Sequence, residues 1–205
     1  MVQAGLSMHA VEYLPGSPGS SLVISAPHDG EMKPASIPTR QNGCQTESGG
    51  CDFKPSCTGK RSIACRATSV QDLYTKDIAR ELQATIGRLT GLMPHLIVSH
   101  LARSKLDPNR PVEEAAQYNP AAIRAWTDFH GYIQTAHTAV QSNGPGLHID
   151  IHGACAPTLT LKKSGRGKLL TTILYPYNLG PKPSWGVRAC YLFVTSSHML
   201  TRRLS

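Results

Sequence analysis

No aspartate or glutamate follows Asp150 in this chain of 205 residues. The formal net charge of +8 is therefore unevenly placed: Lys162, Lys163, Arg166, Lys168, Lys182, Arg188, Arg202 and Arg203 supply all of it, and the first 150 residues are neutral. Charge confined to one stretch, without aromatic and basic residues interleaved on a recognisable scaffold, argues against a nucleic-acid partner. Long hydrophobic runs are also missing. None approaches the roughly 20 apolar residues that cross a bilayer, so no membrane partner is expected. The opening residues lack the basic and apolar regions of a secretory leader, which taken alone points to the cytoplasm. The length suits one α/β domain with a proper core and is short for two.

Cysteine is sparse as well, but its distribution is uneven. Of six, Cys44, Cys51, Cys57 and Cys65 crowd into a polar, Gly-rich stretch with five to seven residues between neighbours. The C-x-x-C spacing of a zinc knuckle is absent, so these four are expected to form disulfides that staple a long loop at about 41–67. Disulfides imply an oxidising compartment, extracellular or secretory, with the cytoplasm as the alternative.

What is present begins with a short apolar run, 21–26, bounded by Gly-Ser-Pro-Gly and by Pro-His-Asp-Gly, the pattern of a buried strand. After the Cys-rich excursion, Ser69 with Asp72 three residues on resembles a capping box, and Leu73, Ile78, Leu82 and Ile86 follow at near-helical spacing. A helix over about 69–88, ended by Gly91, is predicted. The segment 95–101 reads as a strand, 104–111 as a loop, and 120–140 as a helix, because Ile123, Trp126, Phe129, Ile133, Ala136 and Val140 recur at threes and fours. Asn143-Gly144-Pro145-Gly146 breaks it before the strand 147–152. Strand and helix alternate, which predicts an α/β domain with a largely parallel or mixed sheet over 11–153. The segments 169–175 and 189–195 could be strands, but they lie inside an acid-free tail (154–205) that is expected to stand apart from the fold.

Two histidine clusters carry the chemistry. His28-x-x-Glu31 offers an imidazole and a carboxylate across one strand-end turn, although the same spacing also describes a solvated loop histidine beside a surface acid. In the second cluster, His148, Asp150 and His152 share one face of a strand, since side chains alternate with period two. His152, next to Gly153, is the better ligand, with Asp150 or His148 orienting it. Two histidines and a carboxylate that leave a position open for water form a familiar catalytic zinc site. Between the clusters, Arg103, Asn109 and Arg110 could present a fork to a carboxylate. The same loop could equally be solvated, with salt bridges to Asp107.

Taken in order, Ser25-Ala26-Pro27-His28-Asp29-Gly30 with Pro34, Val70-Gln71-Asp72-Leu73-Tyr74-Thr75, Arg103-x-x-x-Asp107-x-Asn109-Arg110 and Asp150-Ile151-His152-Gly153 resemble the N-formylglutamate amidohydrolase family over about residues 11–153. The resemblance implies a three-layer αβα, phosphorylase/hydrolase-like fold related to the zinc carboxypeptidases, cut short on its C-terminal side here. It implies metal-dependent hydrolysis of an N-formyl or N-acyl amide on an acidic amino acid, a small-molecule substrate, with one Zn2+. Its ligands would be His28 and His152, with Glu31 or Asp72 as the carboxylate. Arg103, Asn109 and Arg110 would grip substrate carboxylates. The Cys-rich loop is similar to that of secreted animal relatives. The family's downstream glutamate base has no counterpart here, so Asp150, Asp29 or another upstream acid would have to serve, with Arg103 assisting. Without such a base, the chain would be a catalytically dead secreted module that binds a metal or a carboxylate.

Overall fold

The computed structural model describes residues 9–57, 60–155 and 190–200. The chain forms β1 (Val11–Leu14), β2 (Leu22–Ala26), a hairpin of β3 (Cys44–Gln45) and β4 (Cys51–Asp52), α1 (Thr75–Thr90), β5 (His95–Ser99), α2 (Val112–Ala116), α3 (Pro120–Asn143), β6 (Gly146–Cys155) and β7 (Cys190–Leu200). The main sheet has the order β1-β5-β2-β6-β7. It is mixed: β2 lies parallel to both β5 and β6, and the outer strands β1 and β7 run antiparallel to their neighbours. The candidate strand at 189–195 overlaps β7, which pairs with β6 in the main sheet rather than standing apart from the fold, while the one at 169–175 lies outside the described residues. Among the described residues no helix is long and apolar enough to cross a membrane.

Strand alternation divides the core in two. Val23 and Ile97 join Phe129, Ala136 and Val140 of α3, whereas Ile24, Leu96, Val98 and Ile151 join Ala79, with Ile78, Leu82 and Ile86 of α1 packed against them. Successive residues of a strand point to opposite faces, so α1 covers one face of the sheet and α3 the other. The helix boundaries follow from local chemistry. Asn119 caps α3, its side-chain oxygen accepting the backbone N–H groups of Ala121 (3.1 Å) and Ala122 (3.0 Å), with Pro120 in the first turn. Gly91 ends α1 in the left-handed conformation (φ 75°), as its position in the sequence predicts.

The start of α1 departs from expectation. The helix begins at Thr75 rather than near Ser69, and Asp72 does not cap it. Asp72 is held instead by His28, His152 and Arg103. Asp29 takes over part of the capping, accepting the N–H of Lys76 at 3.0 Å.

The four clustered cysteines pair as Cys44–Cys57 and Cys51–Cys65, closing loops of 13 and 14 residues. In the chain-entropy picture, loops of this size stabilise by about 3 kcal/mol each. They point to an oxidising environment.

Beyond β2 the chain does not leave the sheet at once. Met32 pairs with Leu101 in a parallel bridge, donating its N–H to the His100 carbonyl and accepting from Ala102, each at 2.9 Å. Gly30 makes that return possible: a Cβ there would stand 2.3 Å from the His100 carbonyl carbon and the Leu101 oxygen. Both are backbone atoms with little room to give. Gly30→Ala is therefore expected to destabilise the fold by about 1–3 kcal/mol through overpacking. Urea denaturation would show this as a lower midpoint with an unchanged slope.

Candidate metal centre

The parallel strands β2, β5 and β6 end on the same side of the sheet, and each contributes to one polar cluster there, the usual place for chemistry in open α/β sheets. His28 lies two residues past β2, Arg103 and Asp107 in the loop after β5, and His152 near the end of β6, while Asp72 comes from the turn before α1.

Nδ1 of His28 and Nδ1 of His152 both approach the same oxygen, Oδ2 of Asp72, at 3.2 and 3.1 Å. Donor atoms of the three residues lie within 4.8 Å of one another, so this group could hold a metal ion. Two ligands of a tetrahedral zinc at about 2.1 Å stand roughly 3.4 Å apart, close to these separations. The far nitrogens are held too. Nε2 of His28 meets Oδ1 of Asp107 at 2.8 Å, and Nε2 of His152 meets Oδ2 of Asp150 at 2.8 Å. A carboxylate behind each imidazole fixes its tautomer and ring orientation, the usual support for metal-ligating histidine.

Burial and charge reinforce the arrangement. His28 and Asp107 are 1% and 0% exposed. Burial alone would raise the Asp72 carboxyl, but hydrogen bonds from His152 and His28, together with the charge of Arg103, outweigh it and hold Asp72 well below the ordinary 3.8. Asp107 is held down in the same way by His28 and Arg103 against its burial. Burial would lower His152, but Asp150 and Asp72 on either side push it up to about 9.

The other expected residues are placed unequally. Glu31, the alternative carboxylate, is exposed and stands outside the group, because the chain past Gly30 turns to pair with Leu101. Asp72, forty-four residues beyond His28, supplies the carboxylate oxygen instead. Arg103 faces inward, giving Nε to Asp107 (3.0 Å) and Nη1 to Asp72 (3.2 Å). This includes the salt bridge to Asp107 that the loop's composition also allows. Asn109 is exposed at the site and donates to Oδ2 of Asp150 at 2.9 Å. Arg110 turns away to Glu114, 3.4 Å from its Nε. Asp150 accepts from Ser25, Asn109 and His152, and these bonds keep its carboxyl below the ordinary range although burial opposes them. Asp29 is occupied at the start of α1.

Sequence reading missed the role of Asp107, which it had only as a salt-bridge partner of Arg103 and as one position of the family-like motif. It also missed Arg40, a buried guanidinium that donates to the carbonyls of Thr68 (2.8 Å), Arg103 (3.0 Å) and Glu114 (3.2 Å).

The raised His152 value sets a pH dependence. A group whose folded pKa lies above its unfolded one adds stability below the unfolded value and loses it as pH rises through the folded value. With chelator present, thermal midpoints are thus expected to fall between pH 6.5 and about 9. His152→Gln should flatten that stretch of the curve, and an equally steep fall in the variant would contradict the assignment.

No family model, characterised protein or solved structure matches this chain.

Proposed function

We propose that the chain is a metal-dependent hydrolase of the N-formylglutamate amidohydrolase kind, with a three-layer αβα fold, cleaving an N-formyl or N-acyl amide on an acidic amino acid. The observation that carries this reading is the convergence of two Nδ1 atoms on Asp72, each imidazole backed by its own carboxylate. His28, Asp72 and His152 would hold Zn2+. Bound there, zinc would act as a Lewis acid toward an amide carbonyl and make water more acidic.

The chain's own residues would orient and stabilise. Asp107 and Asp150 hold the two imidazoles in their ligating tautomer. Arg103, beside Asp72, supplies positive charge next to the reacting carbonyl, and the exposed amide of Asn109 stands where a substrate carboxylate would arrive. Arg110, turned toward Glu114, would have to swing to join it.

A second reading is a secreted module that binds the metal or a carboxylate ligand without turnover. One observation favours it: both oxygens of Asp150, the nearest candidate base, already accept hydrogen bonds. A base needs a lone pair directed at the proton it takes.

Rates on N-formyl- and N-acetyl-glutamate, measured with one equivalent of zinc, decide between them. The hydrolase reading expects turnover that chelation abolishes and that His28→Ala lowers at least 100-fold. Stoichiometric zinc with no rate above buffer would leave the binding module, and failure to bind zinc would remove the hydrolase and the metal-binding form of the module.

A further inference from the structure

Behind the centre runs a line of hydrogen bonds that the proposed reaction does not use. The register of the sheet sets Ser25 of β2 directly beside Asp150 of β6, and Val23 beside His148. Ser25 Oγ donates to Oδ1 of Asp150 at 2.5 Å and stands 2.9 Å from Nε2 of His148. Nδ1 of His148 is in turn 3.1 Å from Nε2 of His137 on α3. Ser25 is fully buried and His148 is 5% exposed.

The chemistry fixes the direction of the bonds at Ser25. An ionised carboxylate only accepts, so the single hydroxyl proton of Ser25 is committed to Asp150. The contact with His148 therefore needs the proton on Nε2 of the imidazole. A neutral His148 protonated there has a lone pair on Nδ1, which accepts from Nε2–H of His137. The donors on His148 and Ser25 thus point toward Asp150. The other oxygen of Asp150 faces Nε2 of His152, which leaves Nδ1 of His152 toward Asp72.

We infer that His148 is a positioning residue for the metal centre: fixed by His137 and acting through Ser25, it sets the orientation of Asp150 and with it the tautomer and ring plane of His152. This rests on the reading of His28, Asp72 and His152 as metal ligands. A residue three hydrogen bonds removed from the ligand still matters, because outer partners of ligating histidine tune affinity by roughly 10–100-fold. His148 touches neither substrate nor metal in this scheme.

The test is metal binding by the full chain, with zinc titrated by calorimetry and cobalt(II) followed by its visible absorption. Both His148→Leu and Ser25→Ala are expected to weaken binding by roughly 10–100-fold and to shift the cobalt bands. His148→Gln, whose amide nitrogen can still donate to Ser25, should bind within a few-fold of the parent and keep its spectrum. Melting curves alone would not show this difference, since a packing role would lower stability without moving the cobalt bands. Should His148→Leu fail to fold, Ser25→Ala, which deletes the oxygen between His148 and Asp150, still overturns the inference if it binds like the parent. Parent-like affinity and spectrum in Ser25→Ala or His148→Leu would overturn the inference and leave the metal site standing. A parent chain that binds neither ion would instead overturn the site reading itself, and the inference with it.

Discussion

One carboxylate oxygen, Oδ2 of Asp72, is shared by two imidazoles that arrive from strands β2 and β6, and much of the surrounding structure follows from it. A carboxylate that is 7% exposed is costly to desolvate unless hydrogen bonds and opposite charge replace its water. His28, His152 and Arg103 provide both. To reach them, the turn before α1 closes over the end of β6, where Asp72 packs beside Gly153. The helix consequently starts three residues after Asp72, through Tyr74 in the left-handed conformation at φ 67°. That conformation costs a non-glycine residue about 1 kcal/mol or more. Strain next to a buried, fully paired carboxylate marks a place where geometry outweighs local preference.

The three aspartates of the centre serve by being committed rather than by being free. Asp107 and Asp150 each hold the Nε2 atom of one histidine, and Arg103 bridges Asp107 to Asp72. The result is a closed circuit in which no imidazole can rotate without breaking a bond to a buried carboxylate. Such preorganisation suits ion binding, because the donor atoms already converge. The same commitment weighs against Asp150 as a proton acceptor in catalysis.

The sheet and helices were legible because their signals are local and repeated. The apolar run 21–26, the threes and fours of 120–140, and the glycines at 91 and 144 fall where strands, a helix and helix ends occur. The strict alternation in β6 put His148, Asp150 and His152 on one face, and hydrogen bonds that join both His148 and Asp150 to the Ser25 hydroxyl agree with it. What failed had one physical source. Ser69 and Asp72 have the spacing of a capping box and His28 and Glu31 the spacing of a chelate, yet both patterns consider only near neighbours. Asp72 went to a partner 44 residues away, and Glu31 was carried off by a bridge to Leu101 that depends on Gly30. Asp107 was visible only as a salt-bridge partner of Arg103 and as one position of the family-like motif, since nothing in its own neighbourhood shows that β5 delivers it to His28.

Arg40 shows how the Cys-rich excursion bears on the centre. The loop stapled by Cys44–Cys57 and Cys51–Cys65 begins just after it and ends just before Thr68. Arg40 binds the Thr68 carbonyl and the Arg103 carbonyl through the same nitrogen, Nη1, and the Glu114 carbonyl through Nε. One planar guanidinium thus joins the base of the loop, the Asp107 segment and α2, with Nε and Nη1 held in a rigid fork that the flexible stem of a lysine does not provide. Its burial lowers its pKa, opposed by Asp107 and Glu114 nearby. The disulfides shorten the unfolded excursion, and Arg40 ties its ends to the segment that carries Asp107. Order in that loop is therefore order in the carboxylate that holds His28, so the oxidising environment the cysteines call for also serves the candidate metal centre.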